Sequence, residues 1–192
     1  GTRFGPREIR NFSARYSGWG GSQQKGYWDI NQNKRFLEDI SMSDCGDVDV
    51  AYYDIERNRK IITQTVKKIL KAGTFPVIIG GDHSITYPSI CAFEDFKSLD
   101  IIQIDAHLDW IDEVDGIRYA NGSPMRRSME LDFTNKMVQL GIRCIRSRES
   151  DSHFAKAQGS QKFTRQDIRQ KGVDEIVKKL SPLGNVYVSI DI

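Results

Sequence analysis

The stretch from Leu99 to Asp109 constrains this chain more than any other. An apolar-rich run of strand length, Leu99 to Ile104, opens directly into three polar side chains in alternation, Asp105, His107 and Asp109. Such a run belongs in a buried strand, and the polar residues that follow must be satisfied where it ends. Comparable runs recur at Val48–Tyr53, Pro76–Ile79, Lys136–Ile142 and Asn185–Asp191. Helical patterns separate most of them. Ile55 to Lys71 carries Ile62, Val66, Ile69 and Leu70 on one stripe, Gly73 suits its end, and a second helix is predicted from Ile85 to about Phe93. Strands alternating with helices predict a three-layer αβα fold, a doubly wound and mainly parallel sheet covered on both faces. The reading is one domain over residues 1–192, with a loop-like region over 1–47, rich in Gly, Ser and Asn, and an α/β core over 48–192.

Charge narrows the range of partners. Lys plus Arg number 28 against 26 for Asp plus Glu, so no broad field advertises a nucleic-acid or anionic-membrane partner, and a small molecule is expected. The longest apolar runs fall far short of the roughly 20 residues a spanning helix needs. Cys45, Cys91 and Cys144 are odd in number and widely spaced, which fits reduced thiols and a cytoplasmic location, although an organellar leader could have preceded Gly1.

Ligands of open α/β sheets bind in the crevice at the carboxyl ends of the strands. Three predicted strand ends deliver candidates there: His83 after Pro76–Ile79, then Asp105, His107 and Asp109, then Asp191 after Val186–Ile190. Taken singly, His83 reads as a turn histidine and Asp191 as a strand-end acid, while Asp112, Glu113 and Asp115 read as an ordinary solvated loop. Their convergence at one edge points to a metal site, because a cation satisfies acids that an apolar run has just brought out of the core. Carboxylates with imidazole and no thiolate suit Mn²⁺ first, Ni²⁺ second, and Fe or Zn more than copper(I). The surplus of carboxylates suggests two ions sharing bridging oxygens.

Gly80-Gly-Asp-His-Ser84, Asp105-Ala-His-Leu-Asp109 and Ser189-Ile-Asp191, in this order, resemble the three signatures of the ureohydrolase family of arginases and agmatinases, and Gly1 to Arg10 is similar to the segment before the long loop of agmatinase-like members. The resemblance covers nearly the whole chain. It implies the arginase/deacetylase type of fold, incomplete at its C-terminal end, because the third signature would continue to another Asp beyond Ile192. It implies that His83, Asp105, Asp109 and Asp191 hold one Mn²⁺, and that His107 with bridging Asp105 and Asp191 holds a second. It also implies cleavage of a guanidinium C–N bond to urea and an amine, with Asp109 relaying a proton to the leaving amine, and assembly as a trimer or hexamer.

One departure stands out. Many relatives carry His-Gly-x-Pro after the second signature, whereas this chain has Asn121-Gly-Ser-Pro124, and an amide cannot exchange a proton near neutral pH. Asn121 is therefore read either as a substrate-handling residue at the position of a family histidine or as a turn residue before Gly122. Candidate substrates are agmatine, another small guanidino compound, or free guanidine. Trp19, Trp28 and Trp110 could wall a guanidinium pocket through cation–π contact, but core or loop packing is the plainer expectation. Two alternatives remain: a non-catalytic metal-binding subunit, and a deacetylase-type hydrolase cleaving amides around a single zinc.

Overall fold

A computed structural model describes residues 2–17, 26–180 and 182–192. The predicted Gly18–Ser22 loop and Trp19 lie outside the described residues. Two units are distinguished, Gly1–Val48 with Ile79–Gly81, and Asp49–Ile78 with Asp82–Ile192.

The first unit departs from the loop-like expectation. Helix α1 spans Gly5–Ser17, and strands β1, Tyr27–Asp29, and β2, Lys34–Phe36, form an antiparallel hairpin. The abundance of small and polar residues hid ordinary helix signals: Pro6 near the start, Glu8 in the first turn and Arg15 in the last, each matched to its end of the helix dipole. Arg10 on α1 is held by Asp44 and Asp47, at 2.5 and 2.8 Å. In the hairpin turn, the Asp29 carboxylate accepts from the backbone N–H groups of Asn31 and Gln32. Trp28 is exposed.

The second unit carries the sheet. Helix α2 runs over Ile55–Lys71, the predicted bounds, because Asp54 caps its N-terminus by accepting from the Arg57 N–H and Gly73 follows at φ 70°. A short 3₁₀ turn at His83–Ile85 leads into α3, Thr86–Cys91. The remaining elements are β3 (Leu99–Ile104), α4 (Pro124–Met129), β4 (Thr134–Ile142), α5 (Glu149–Ala157), β5 (Gln161–Thr164), α6 (Arg165–Lys171), α7 (Val173–Lys179) and β6 (Val186–Ile190). The four long-range strands are parallel in the order β5-β4-β3-β6. From β3 the chain winds outward through β4 to β5, then returns to the other side of β3 as β6. That reversal is the switch point at which doubly wound sheets bind ligands.

Two predicted strands pair with no neighbour among the described residues. Over 48–53 the backbone of Ala51 is satisfied by a side chain instead of a ladder, since Asn58 accepts from its N–H and donates to its carbonyl, both at 2.7 Å. The run Pro76–Ile79 joins neither sheet, and Val77 and Ile79 are exposed. In the other direction, β5 is a strand that its polar sequence, Gln-Lys-Phe-Thr, concealed. The core gathers on one face of β3 and β4, where Leu99, Ile101 and Met137 pack with Ile90, Met125, Trp110 and Ala155. By the two-residue period of a strand, Gln103 shares that inward face with Leu99 and Ile101. Trp110 is wholly buried within the core, so it is not a pocket wall.

Candidate metal centre

The strand ends at the switch point bring four of the expected residues together. The Nδ1 of His83 lies 2.5 Å from Asp109 Oδ2, 3.4 Å from Asp105 Oδ2 and 3.6 Å from Asp191 Oδ2. One ligand atom from each of the four residues falls within 4.8 Å of all the others. Bonds of about 2.0–2.2 Å to one divalent ion put opposite ligands about 4 Å apart and adjacent ones nearer 3 Å, so the spacing suits a single cation.

Local structure holds each group. Asp82 caps the turn that carries His83 by accepting from the Ser84 N–H. Asp191 follows β6, and its own N–H donates to the Ile104 carbonyl at the end of β3. Asp109 sits at φ 55°, a left-handed conformation uncommon outside glycine and one that aspartate tolerates better than most residues. The conformation is held from outside, because the Asp109 carbonyl accepts from the N–H groups of Met125 and Arg126 in α4. Beside the motif, Gly141 has φ 91°, and a Cβ there would meet the Asp105 carbonyl oxygen at 3.2 Å, so β4 and the metal motif approach as closely as they do only with glycine.

The charges are unbalanced without a cation. Burial pulls the His83 imidazole down, but the hydrogen bond to Asp109 and the charges of Asp109, Asp105 and Asp191 outweigh it, leaving its pKa raised. Burial likewise raises the Asp109 carboxyl, with His83 acting in the opposite direction. One imidazolium leaves three neighbouring carboxylates two charges short of neutrality, whereas a divalent ion beside a neutral imidazole leaves them one short. The donor set and its spacing therefore fit a metal.

Two buried amides, which sequence reasoning missed, brace the cluster. Gln103 Nε2 donates to Asp105 Oδ2 at 2.7 Å and to Asp109 Oδ2 at 3.3 Å. Its own carbonyl accepts from Gln139 Nε2, which also donates to the Leu108 carbonyl at 2.8 Å. Gln139 Oε1 in turn accepts from Trp110 Nε1 and Ser160 Oγ, each at 3.0 Å. Ser189, known from the sequence only as the start of a signature, lies 2.8 Å from His83 Nε2 and thereby orients the ring so that Nδ1 faces the cluster. The available signal was a glutamine on the inward face of a strand that ends in candidate ligands.

The other expected residues stand apart. His107 is largely exposed, with Nδ1 3.3 Å from Asp105 Oδ1, the oxygen opposite the one that faces His83. Its N–H donates to the same Oδ1 at 2.7 Å. Asp105 thus presents one oxygen to each side, as a bridging ligand must. Asn121 is exposed in the turn before α4, and no side-chain hydrogen bond joins it to the cluster among the described residues. The turn itself is tied in through Gly122, whose carbonyl accepts from the Ile111 N–H.

Parallel α/β architecture with a carboxylate–imidazole cluster at its switch point defines a metal-centred class of protein. The chain belongs to the arginase family, whose sequence profile matches residues 1–192. It is 31% identical over 193 residues to the agmatinase of Bacillus anthracis, covering all of this chain and 61% of that protein. It is 29% identical over 198 residues to the guanidinobutyrase of Pseudomonas aeruginosa, covering all of this chain and 59% of that protein. The crystal structure of formimidoylglutamase from Bacillus subtilis superposes with a TM-score of 0.79 at 28% identity, over 98% of this chain and 58% of that one. The chain thus spans about three fifths of the length of these relatives. Among the described residues, no helix is long and apolar enough to cross a membrane.

Proposed function

We propose that this chain forms the metal-binding part of a binuclear hydrolase that cleaves the C–N bond of a small guanidino compound to urea and an amine. The observation that carries this reading is the convergence of three carboxylates and one imidazole at the ends of β3 and β6. His83, Asp105, Asp109 and Asp191 would hold one Mn²⁺, and His107 with Asp105 and Asp191 would contribute to holding a second. Bound divalent ions would supply the Lewis acidity that lowers the pKa of water towards about 7. The carboxylates attract the guanidinium cation to the strand ends. Asp109 turns Oδ2 towards His83 and Gln103, on the side where an ion would sit, so Oδ1 is the oxygen that would carry a proton to the departing nitrogen.

Relatives named agmatinase, guanidinobutyrase and formimidoylglutamase all support an amidine-type C–N bond as the target. The test is release of urea or formamide by the protein loaded with Mn²⁺ or Ni²⁺, across guanidine, agmatine, 4-guanidinobutyrate and formimidoylglutamate. Metal-dependent urea from a guanidino compound upholds the reading, whereas formamide from formimidoylglutamate alone would keep the hydrolase and overturn the guanidino substrate. Tight metal binding with no product from any would favour a second reading, a non-catalytic metal-binding relative, for which the exposed Asn121 at the position of a family histidine is the supporting observation.

A further inference from the structure

Beside the metal motif, the ends of β4 and β5 open into a cleft of about 630 Å³. Its wall includes Leu108, the residue between His107 and Asp109, together with Arg143, Arg148, Lys162 and Arg165. The cleft is joined to the motif through the backbone: the N–H groups of Arg143 and Cys144 donate to the Ala106 carbonyl at 2.9 and 3.0 Å. Four cations therefore line a space that begins at the ligand segment. The one carboxylate in the lining, Glu149, lies 3.9 Å from His153.

Only part of the basic complement of this unit sits beside an acid, and what sets the cleft apart is that four cations gather at one wall. Arg57, Arg59, Lys67, Arg118, Arg126, Arg127, Lys171 and Lys179 each lie within 4 Å of a carboxylate. None of Arg143, Arg148, Lys162 and Arg165 does so among the described residues. Lys162 donates to the Ser152 hydroxyl and Arg143 to the Gly141 carbonyl, both neutral acceptors, while Arg148 and Arg165 are exposed and make no side-chain hydrogen bond among the described residues, Arg148 acting on Asp151 only through its charge. Unpaired cations gathered at one wall repel one another unless an anion joins them.

We infer that this cleft takes the carboxylate of a guanidino acid whose guanidinium group sits at the metal centre. The inference rests on the hydrolase reading above and narrows its substrate class from guanidino compounds in general to those with a remote anion. Neighbouring strands lie about 4.8 Å apart, so an anion over β4 or β5 and a guanidinium over β3 and β6 are separated by roughly 5–10 Å, the reach of a short aliphatic chain. An amine at that end, as in agmatine, would meet four like charges. The cations are binding groups and take no part in bond cleavage.

The test compares 4-guanidinobutyrate with agmatine, which resemble each other in length and differ in the charge of the far group. Calorimetric binding and KM are measured on the Mn²⁺-loaded protein and on Arg148→Ala/Arg165→Ala, two exposed positions whose loss leaves the core intact. Charge-assisted hydrogen bonds are worth enough that the preference for the guanidino acid over agmatine should be about tenfold to a hundredfold, and should collapse in the double variant with kcat little changed. The charge-reversed pair Arg148→Glu/Arg165→Glu should invert the preference. Agmatine binding as well as or better than the acid overturns the inference, as does an unchanged preference ratio in both variants or binding of neither compound. Urea from agmatine alone would uphold the hydrolase and remove the carboxylate cleft. Charge-selective binding without turnover of any compound would do the reverse.

Discussion

Two charged clusters lie within the same unit and are built on opposite principles. Around α4, Arg127 is almost completely buried, yet its Nη2 lies 2.5 Å from Asp112 and 2.9 Å from Glu130. Arg126 adds a 3.1 Å contact with Asp112 and stacks over the Phe154 ring at 4.0 Å, and Arg118 completes the set. Cations and carboxylates alternate there, so the network nearly neutralises itself. At the ends of β3 and β6, three carboxylates face one imidazole. A charge network that balances with its own side chains needs no outside partner, whereas an unbalanced one, held by buried amides, is built for something that arrives from outside.

The largest effect should come from removing a ligand. Asp105→Asn takes away the charge that both sides of the cluster share and should weaken Mn²⁺ binding by more than the roughly 10–100-fold typical of supporting residues, with urea or formamide release lost alongside it. Native protein at a metal concentration about a hundred times Kd should gain about 2.7 kcal/mol of stability. The variant should show no such gain in a thermal melt. A full metal-dependent shift in Asp105→Asn would break the contrast, since the cluster would then not be the metal site.

Next in size is the amide brace. Gln103→Leu keeps the volume roughly constant but removes the donor to Asp105 and Asp109, so Mn²⁺ affinity should fall about tenfold to a hundredfold. A binding isotherm separates this from simple destabilisation, because Gln103→Glu, which adds a fourth carboxylate beside the others, should alter metal affinity by a different amount at similar bulk. Equal affinities in native protein and both variants would reduce Gln103 to core packing. Around α4 the expected change is of another kind. The Arg127 Nε and Nη1 find no partner among the described residues, but Nη2 serves the half-exposed Asp112 and Glu130, so the apolar near-isostere Arg127→Met should cost roughly 1.5–3 kcal/mol in urea denaturation, with metal affinity unmoved. A loss of metal binding in that variant would tie the two networks together and undo the comparison.

How much of this was legible depended on whether local and tertiary signals agreed. Helix α2 was readable to the residue because the Asp54 cap, the apolar stripe and Gly73 all mark the same bounds. The cluster of His83, Asp105, Asp109 and Asp191 was readable because each lies just beyond an apolar run, and convergence at a sheet edge is a property of the fold class. The amides were not, since Gln103 and Gln139 each look like one polar residue in a strand and reveal their role only when β3 and β4 lie side by side. For Pro76–Ile79, periodicity described a strand that no neighbour pairs. Helix α1 failed in the opposite sense, its end-charge pattern being masked by small polar residues. The left-handed Asp109 could not have been foreseen, because its conformation is imposed by two N–H groups of α4, fifteen or more residues away.

The smallest effect isolates what a carboxylate does when donors surround it. Asp167 in α6 accepts from Lys171 Nζ at 2.7 Å and closes a capping box with Thr164, whose N–H and hydroxyl reach its Oδ2 at 2.9 and 2.6 Å. Lys171 first, then Thr164, hold its pKa well below the ordinary carboxylate range. A depressed pKa in the folded state means stabilisation that is complete above the unfolded value, near 3.9, and is lost as pH falls through the folded one. The Asp167→Asn variant should therefore unfold at slightly lower urea than the native chain at pH 7, and the gap should narrow steadily below about pH 4. Because the group is exposed, solvent screens it and the gap is small at every pH. A gap that widens on acidification would mean that the side chain acts through its amide-like geometry and not its charge. In that case this carboxylate would not serve as the donor-surrounded counterpart to the acids at the metal centre.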